Sequence, residues 1–98
     1  MAIIVDETTR MLIQGITGRF GQNVARRMIE VGSRVVAGVT PGRGGETVWG
    51  VPVYNTVKEA IQEVGRIDAS VVVVPGPEAK AAVIEVFHAG IKTVLMRV

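Results

Sequence analysis

Four β-branched residues in a row, Val71-Val72-Val73-Val74, restrict the fold more than any other stretch of this sequence. Side chains of a strand alternate between two faces, so an unbroken apolar run has no polar side to turn toward water. Both faces must then be covered, as they are for a strand in a parallel sheet between layers of helix. The reading is a strand over Ser70–Val74, turned by Pro75-Gly76-Pro77, with Pro77 suited to the first position of the next helix.

The rest of the chain repeats this alternation. Glycines punctuate it at intervals of roughly 30 residues, the length of a βαβ unit. Met11–Gln14, Arg34–Val39 and Lys92–Met96 read as further strands, and Val51–Tyr54 as an edge strand because Pro52 has no N–H to donate. A helix is expected from Arg19 to Val31, burying Phe20, Val24, Met28 and Val31 and closed by Gly32. Thr56-Val57-Lys58-Glu59 is a capping box opening a second helix, which buries Val57, Ala60, Ile61 and Val64 and stops at Gly65. The third runs from Pro77 to about His88-Ala89, ends at Gly90, and buries Ala79, Ala82, Val83, Val86 and Phe87. Together these predict an α/β, Rossmann-like open parallel sheet with helices on both faces, one domain spanning residues 1–98.

Composition removes several functions. A hydrophobic share of 48% with mean hydropathy +0.38 is enough for one buried core. Net charge is only +2, without a basic run or interleaved aromatics, so no nucleic acid partner is expected. With no cysteine and one histidine, neither thiolate chemistry nor a His/Cys metal site is expected. No apolar run approaches membrane-spanning length and no leader is evident, so a cytoplasmic location is expected.

Ligands of such folds bind outside the carboxyl ends of the strands. Three unusual loops fall on that edge: Gly15–Gly21, Thr40–Gly45 and Pro75–Pro77. Gly15-x-x-Gly18-x-x-Gly21 leads from a strand into a helix, where close backbone approach, free N–H groups and the helix dipole favour a phosphate. Thr17 adds a hydroxyl and Arg19 a charged donor. It is not a Walker loop, because no Gly-Lys-Ser/Thr follows. NAD binders place an acid after the second strand, but this chain has Gly38-Val39-Thr40-Pro41 and then Arg43. An arginine there suits a ligand with an extra ribose phosphate, either NADP(H) or coenzyme A. Trp49 is suited either to stacking on adenine or to anchoring its loop. His88 reads as an exposed residue at a helix C-terminus, and no catalytic residue is assigned.

Gln14-Gly15-Ile16-Thr17-Gly18-Arg19-Phe20-Gly21, Gly38-Val39-Thr40-Pro41-Gly42-Arg43-Gly44-Gly45 and Gly50-Val51-Pro52-Val53-Tyr54-Asn55-Thr56-Val57 together resemble the N-terminal domain of succinyl-CoA synthetase α subunits. Val73–Pro77 and Ala89–Lys92 continue the match, which covers essentially the whole chain. The resemblance implies coenzyme A as ligand, its phosphates lined by Thr17, Gly18, Arg19 and Phe20, with Arg43 at a phosphate; Gly15 and Gly21 of the same turn and Pro41 are also expected in the coenzyme site. Val73, Val74 and Pro75 would flank the nucleotide or pantetheine arm. Two departures stand out. The family often has small polar residues at the positions of Arg19 and Phe20. It also continues from the last strand into Thr-Glu-Gly-Ile-Pro, where this chain has Met96-Arg97-Val98. The resemblance further implies a separate phosphohistidine domain and a nucleotide-binding β subunit, neither within these residues. The expectation is a chain that binds the coenzyme without performing ligation alone. A β-subunit-like partner, or self-association through the last strand's edge, is the expected assembly.

Overall fold

The computed structural model describes residues 8–74 and 77–96. Its elements run β1 (Arg10–Gln14), α1 (Arg19–Glu30), β2 (Arg34–Val39), β3 (Thr47–Val48), β4 (Val51–Tyr54), α2 (Val57–Val64), β5 (Ala69–Val72), α3 (Pro77–His88) and β6 (Thr93–Met96). They form one six-stranded sheet in the order β3-β4-β2-β1-β5-β6, parallel except for β3, which pairs antiparallel with β4. The Rossmann-like α/β reading of the sequence is therefore correct.

The alternation of strand side chains sorts the core into two layers. Met11, Ile13, Val51, Val53, Ala69 and Val71 face Ala25 of α1, with Val24 and Met28 packed alongside. Leu12, Ala37 and Val39 face the opposite way, onto Val57 and Ala60 of α2 and Val86 of α3. Helices thus cover both faces, as the apolar run at 71–74 requires.

Gln14 and Ser70 are buried within the second layer, yet both are satisfied. The Ser70 hydroxyl donates to Gln14 Oε1 at 2.8 Å, while Gln14 Nε2 donates to the carbonyl of Ala82 at 3.0 Å. This chain of bonds ties the end of β1 to β5 and to α3. The capping box of α2 forms, with Glu59 N–H donating to Thr56 Oγ1 at 3.1 Å. Glu59 reaches back one residue further than expected, accepting from the N–H of Asn55 at 3.2 Å. Glu85 of α3 completes the helix start by accepting from Val57 N–H at 2.8 Å. At the other end of α2, the Arg10 guanidinium donates to the carbonyls of Val64 and Arg66.

Four details differ from the sequence reading. β5 stops at Val72, where β1 turns away at Gly15, and Val73 still donates its N–H to the Gln14 carbonyl at 2.9 Å. Residues 47–48 form a short strand that makes a hairpin with β4, so β4 lies between β3 and β2 and is not the edge strand expected from Pro52. Phe20 and Val31 are 74% and 79% exposed, since α1 lays its smallest residues, Gly21 and Ala25, on the sheet. Phe87 is also exposed, at 53%, and its neighbour Val86 takes the buried position.

Candidate functional site

The chain runs outward from β1 to β2 and β4, then returns across β1 to β5 and β6. This reversal opens a crevice at the carboxyl end of β1, where the glycine turn begins. Gly15 starts the turn with φ +88°, and its N–H donates to the Val39 carbonyl at 2.8 Å. Gly18 follows as the N-cap of α1 and offers no side chain to cap it. The first intrahelical bond runs from Gln22 N–H to the Gly18 carbonyl at 2.9 Å. The preceding N–H groups, those of Arg19, Phe20 and Gly21, therefore have no intrahelical acceptor. No acidic residue stands in this first turn, so its positive end is uncompensated.

The glycines of the turn have different duties. A Cβ at position 21 would meet the Gly15 carbonyl oxygen at 1.9 Å, so Gly21 is what lets α1 approach the turn. A Cβ at position 18 would meet only that same oxygen, at an ordinary 3.5 Å, and Gly18 has extended backbone angles open to any residue. Among the described residues, nothing requires a glycine there.

The second loop is built differently. Thr40-Pro41-Gly42-Arg43 closes with Arg43 N–H donating to the Thr40 carbonyl at 3.0 Å, with Gly42 at φ +84°. Arg43-Gly44-Gly45-Glu46 closes with Glu46 N–H on the Arg43 carbonyl at 3.2 Å, with Gly45 at φ +97°. A positive φ at the third residue is the signature of a type II turn, so two such turns share Arg43. The N–H groups of Gly42 and Gly44 both donate to Asn55 Oδ1, at 2.9 and 3.0 Å, and that of Gly45 to the Val53 carbonyl at 3.0 Å. All five N–H groups from residue 42 to residue 46 are thus committed within the protein. Of these two loops the first has backbone donors to offer an anion, while the second offers the Arg43 side chain, which lies 3.2 Å from Glu46 Oε2 in an exposed ion pair.

Two grooves lie along this edge. One, of about 320 Å³, brings Thr17 and Gln22 opposite Arg43, Glu46 and Trp49. The other, of about 450 Å³, is lined by Gln14, Gly15, Val39, Thr40, Pro41 and Val74, with Glu78 and Glu85 on its helical wall. They meet where Thr17 Oγ1 and Thr40 Oγ1 are 3.1 Å apart. Gly15, Thr17, Pro41, Arg43 and Val74 are therefore brought together across the two grooves. Phe20 is not, because its side chain turns onto the outer surface of α1 beside Asn23 and Arg27. Arg19 is exposed in the first turn of α1, Val73 packs beneath Gly15, and Pro75 lies outside the described residues.

Trp49 occupies the hairpin tip at φ +54°, followed by Gly50 at +81°. Its indole N–H donates to the Gln22 carbonyl at 3.0 Å, so it does anchor its loop, while 56% of the residue stays exposed. Gln22 in turn donates from Nε2 to the Thr17 carbonyl at 2.8 Å. Sequence reading missed Gln22, Thr40, Glu46 and Asn55. Asn55 carried no local signal, since its partners lie 11 and 13 residues earlier.

A glycine turn at the switch point of a doubly wound sheet places this molecule among Rossmann-like α/β domains. Within that class, the chain belongs to the CoA-binding domain family, whose model, described as "CoA binding domain", matches residues 6–97. It is 54% identical over 95 residues to subunit alpha 2 of an ADP-forming succinate–CoA ligase from Archaeoglobus fulgidus, covering 97% of this chain and 33% of that one. The α subunit of the ADP-forming succinate–CoA ligase of Aquifex aeolicus is 50% identical, with 97% and 31% covered. The α subunit of a malate–CoA ligase from Methylorubrum extorquens is 51% identical over 94 residues, with 96% and 31% covered. The chain spans about a third of the length of these curated relatives. Among solved structures, a Rex-family repressor superposes with a TM-score of 0.76 at 23% identity, covering 92% of this chain and 45% of that one. A conserved hypothetical protein from Pyrococcus furiosus gives 0.73 at 21% identity, covering 91% and 74%. At such identities the likeness concerns the fold alone. Among the described residues, no helix is long and apolar enough to cross a membrane.

Proposed function

We propose that this chain binds coenzyme A, as the coenzyme-binding part of a succinate–CoA ligase α subunit or a near relative. The observation that carries the reading is the first turn of α1, whose N–H groups have no acceptor among the described residues, with no capping side chain and no acid at the switch point of the sheet. A diphosphate seated there accepts from the N–H groups of Arg19, Phe20 and Gly21 and from the Thr17 hydroxyl. Gly18, which none of the described residues crowds, keeps the approach open. Arg43 faces the same groove and takes the ribose 3′-phosphate, exchanging Glu46 for the stronger anion. The apolar wall made by Val39, Pro41 and Val74 suits the pantetheine arm. Membership of the CoA-binding domain family favours this ligand over NADP(H), which the bare glycine turn also admits.

The chain's own residues bind and orient the coenzyme, and the ligation chemistry is assigned to the remainder of an α subunit and to a β-subunit-like partner. Calorimetric titration with coenzyme A, dephospho-coenzyme A and NADPH tests the reading. Saturable binding is expected to be tightest for coenzyme A and weakened by loss of the 3′-phosphate. Heat from NADPH alone, or from none of the three, overturns it.

A further inference from the structure

We infer that Asn55 is a positioning residue, which sets the reach of Arg43 and with it the preference for a 3′-phosphorylated coenzyme. The inference rests on the coenzyme A reading and assigns a role to a side chain outside both grooves. Asn55 Oδ1 accepts from Gly42 N–H and Gly44 N–H, so a single oxygen holds the chain on both sides of Arg43. Asn55 is itself exposed, and these bonds therefore do not rescue buried donors; their effect is on the shape of the loop. The fit is close, since a Cβ at position 44 would lie 2.6 Å from Asn55 Nδ2. Asn55 is fixed in turn from the α2 side, its N–H donating to Glu59 Oε2 in the capping box. A line of contacts thus runs from the start of α2 through Asn55 to the residue shared by two turns. Arg43 is a long side chain on a glycine-rich loop, and its charge finds a phosphate efficiently only if the backbone under it is fixed.

Binding of coenzyme A and dephospho-coenzyme A to the wild-type chain, Asn55→Ala and Asn55→Asp tests this, together with amide exchange at Gly42 and Gly44 followed by NMR. In Asn55→Ala the preference for coenzyme A is expected to fall about tenfold, toward none, while dephospho-coenzyme A binds as before. A residue of merely structural importance would weaken both ligands alike. Exchange at Gly42 and Gly44 is expected to speed up about tenfold or more in Asn55→Ala and to return toward wild type in Asn55→Asp, which keeps the acceptor oxygen. An Asn55→Ala variant that keeps the wild-type preference overturns the inference alone. A wild-type chain that never distinguishes the two coenzymes overturns the reading of Arg43 beneath it, and the inference with it.

Discussion

The carbonyl oxygen of Gly15 lies where a side chain on Gly21 would begin, 1.9 Å from the position of its Cβ. The first and third glycines of the turn therefore pack against each other, and the middle one, Gly18, does not share that constraint. Two single substitutions separate these duties. Gly21→Ala forces α1 off the turn and is expected to destabilise the fold by about 1–3 kcal/mol. For a domain of this size that lowers Tm by several degrees or more. Gly18→Ala is expected to leave Tm nearly unchanged, yet to weaken coenzyme A binding about tenfold or more, because its methyl group enters the space of the phosphate. Thermal melting and calorimetry on both variants check the contrast. Equal losses of stability would remove the distinction.

Arg43 has Glu46 as its partner in the free protein, at 3.2 Å, with both side chains exposed. An exposed pair of this kind contributes at most about 1 kcal/mol and is screened by salt. A phosphate competing for Arg43 must displace the carboxylate and meets its charge in the same groove. Glu46→Gln is expected to tighten coenzyme A binding by up to about fivefold at low ionic strength, less at high salt. Arg43→Ala is expected to erase the difference between coenzyme A and dephospho-coenzyme A. Titrations at two salt concentrations read both effects.

The parallel sheet and its two helix layers were legible because they follow from pattern: four valines demand two covered faces, and glycines close each helix at Gly32, Gly65 and Gly90, all at positive φ. The glycine turn was legible for the same reason. The buried face of α1 was not. Large apolar residues pointed to Phe20 and Val31, whereas the closest approach to the sheet is made by Gly21 and Ala25, whose smallness is their contribution. Hairpin residues 47–48 escaped notice because Trp49 stands where Asn or Asp would announce a tight turn. Asn55 and Glu85 act on backbone N–H groups of other elements or distant loops, and no local spacing encodes such a partner.

The bond from Ser70 to Gln14 is buried, and Gln14 continues it to the carbonyl of Ala82. Gln14→Leu leaves the Ser70 hydroxyl without its acceptor in a fully buried place. A loss of about 2–3 kcal/mol is expected. Removing both polar groups avoids the orphan, so Gln14→Leu/Ser70→Ala is expected to be more stable than the sum of the single changes implies. Denaturant unfolding of the three variants gives the coupling directly.

Trp49 combines a strained backbone with an anchoring bond, and the two are separable. Its φ of +54° and that of Gly50 at +81° match a type I′ hairpin turn, for which Asn-Gly is the preferred pair. A bulky side chain in that region costs about 1–2 kcal/mol. Against this stands the indole N–H bond to the Gln22 carbonyl, an exposed contact of about 1 kcal/mol. Trp49→Phe keeps the strain and loses the bond, so it is expected to lower stability by about 1 kcal/mol. Trp49→Asn loses the bond and the ring but relieves the backbone, so it is expected to melt at or above the temperature of the phenylalanine variant. If asparagine melts well below phenylalanine, the ring's packing against α1 outweighs the turn, and the tip is held by its side chain rather than shaped by its backbone.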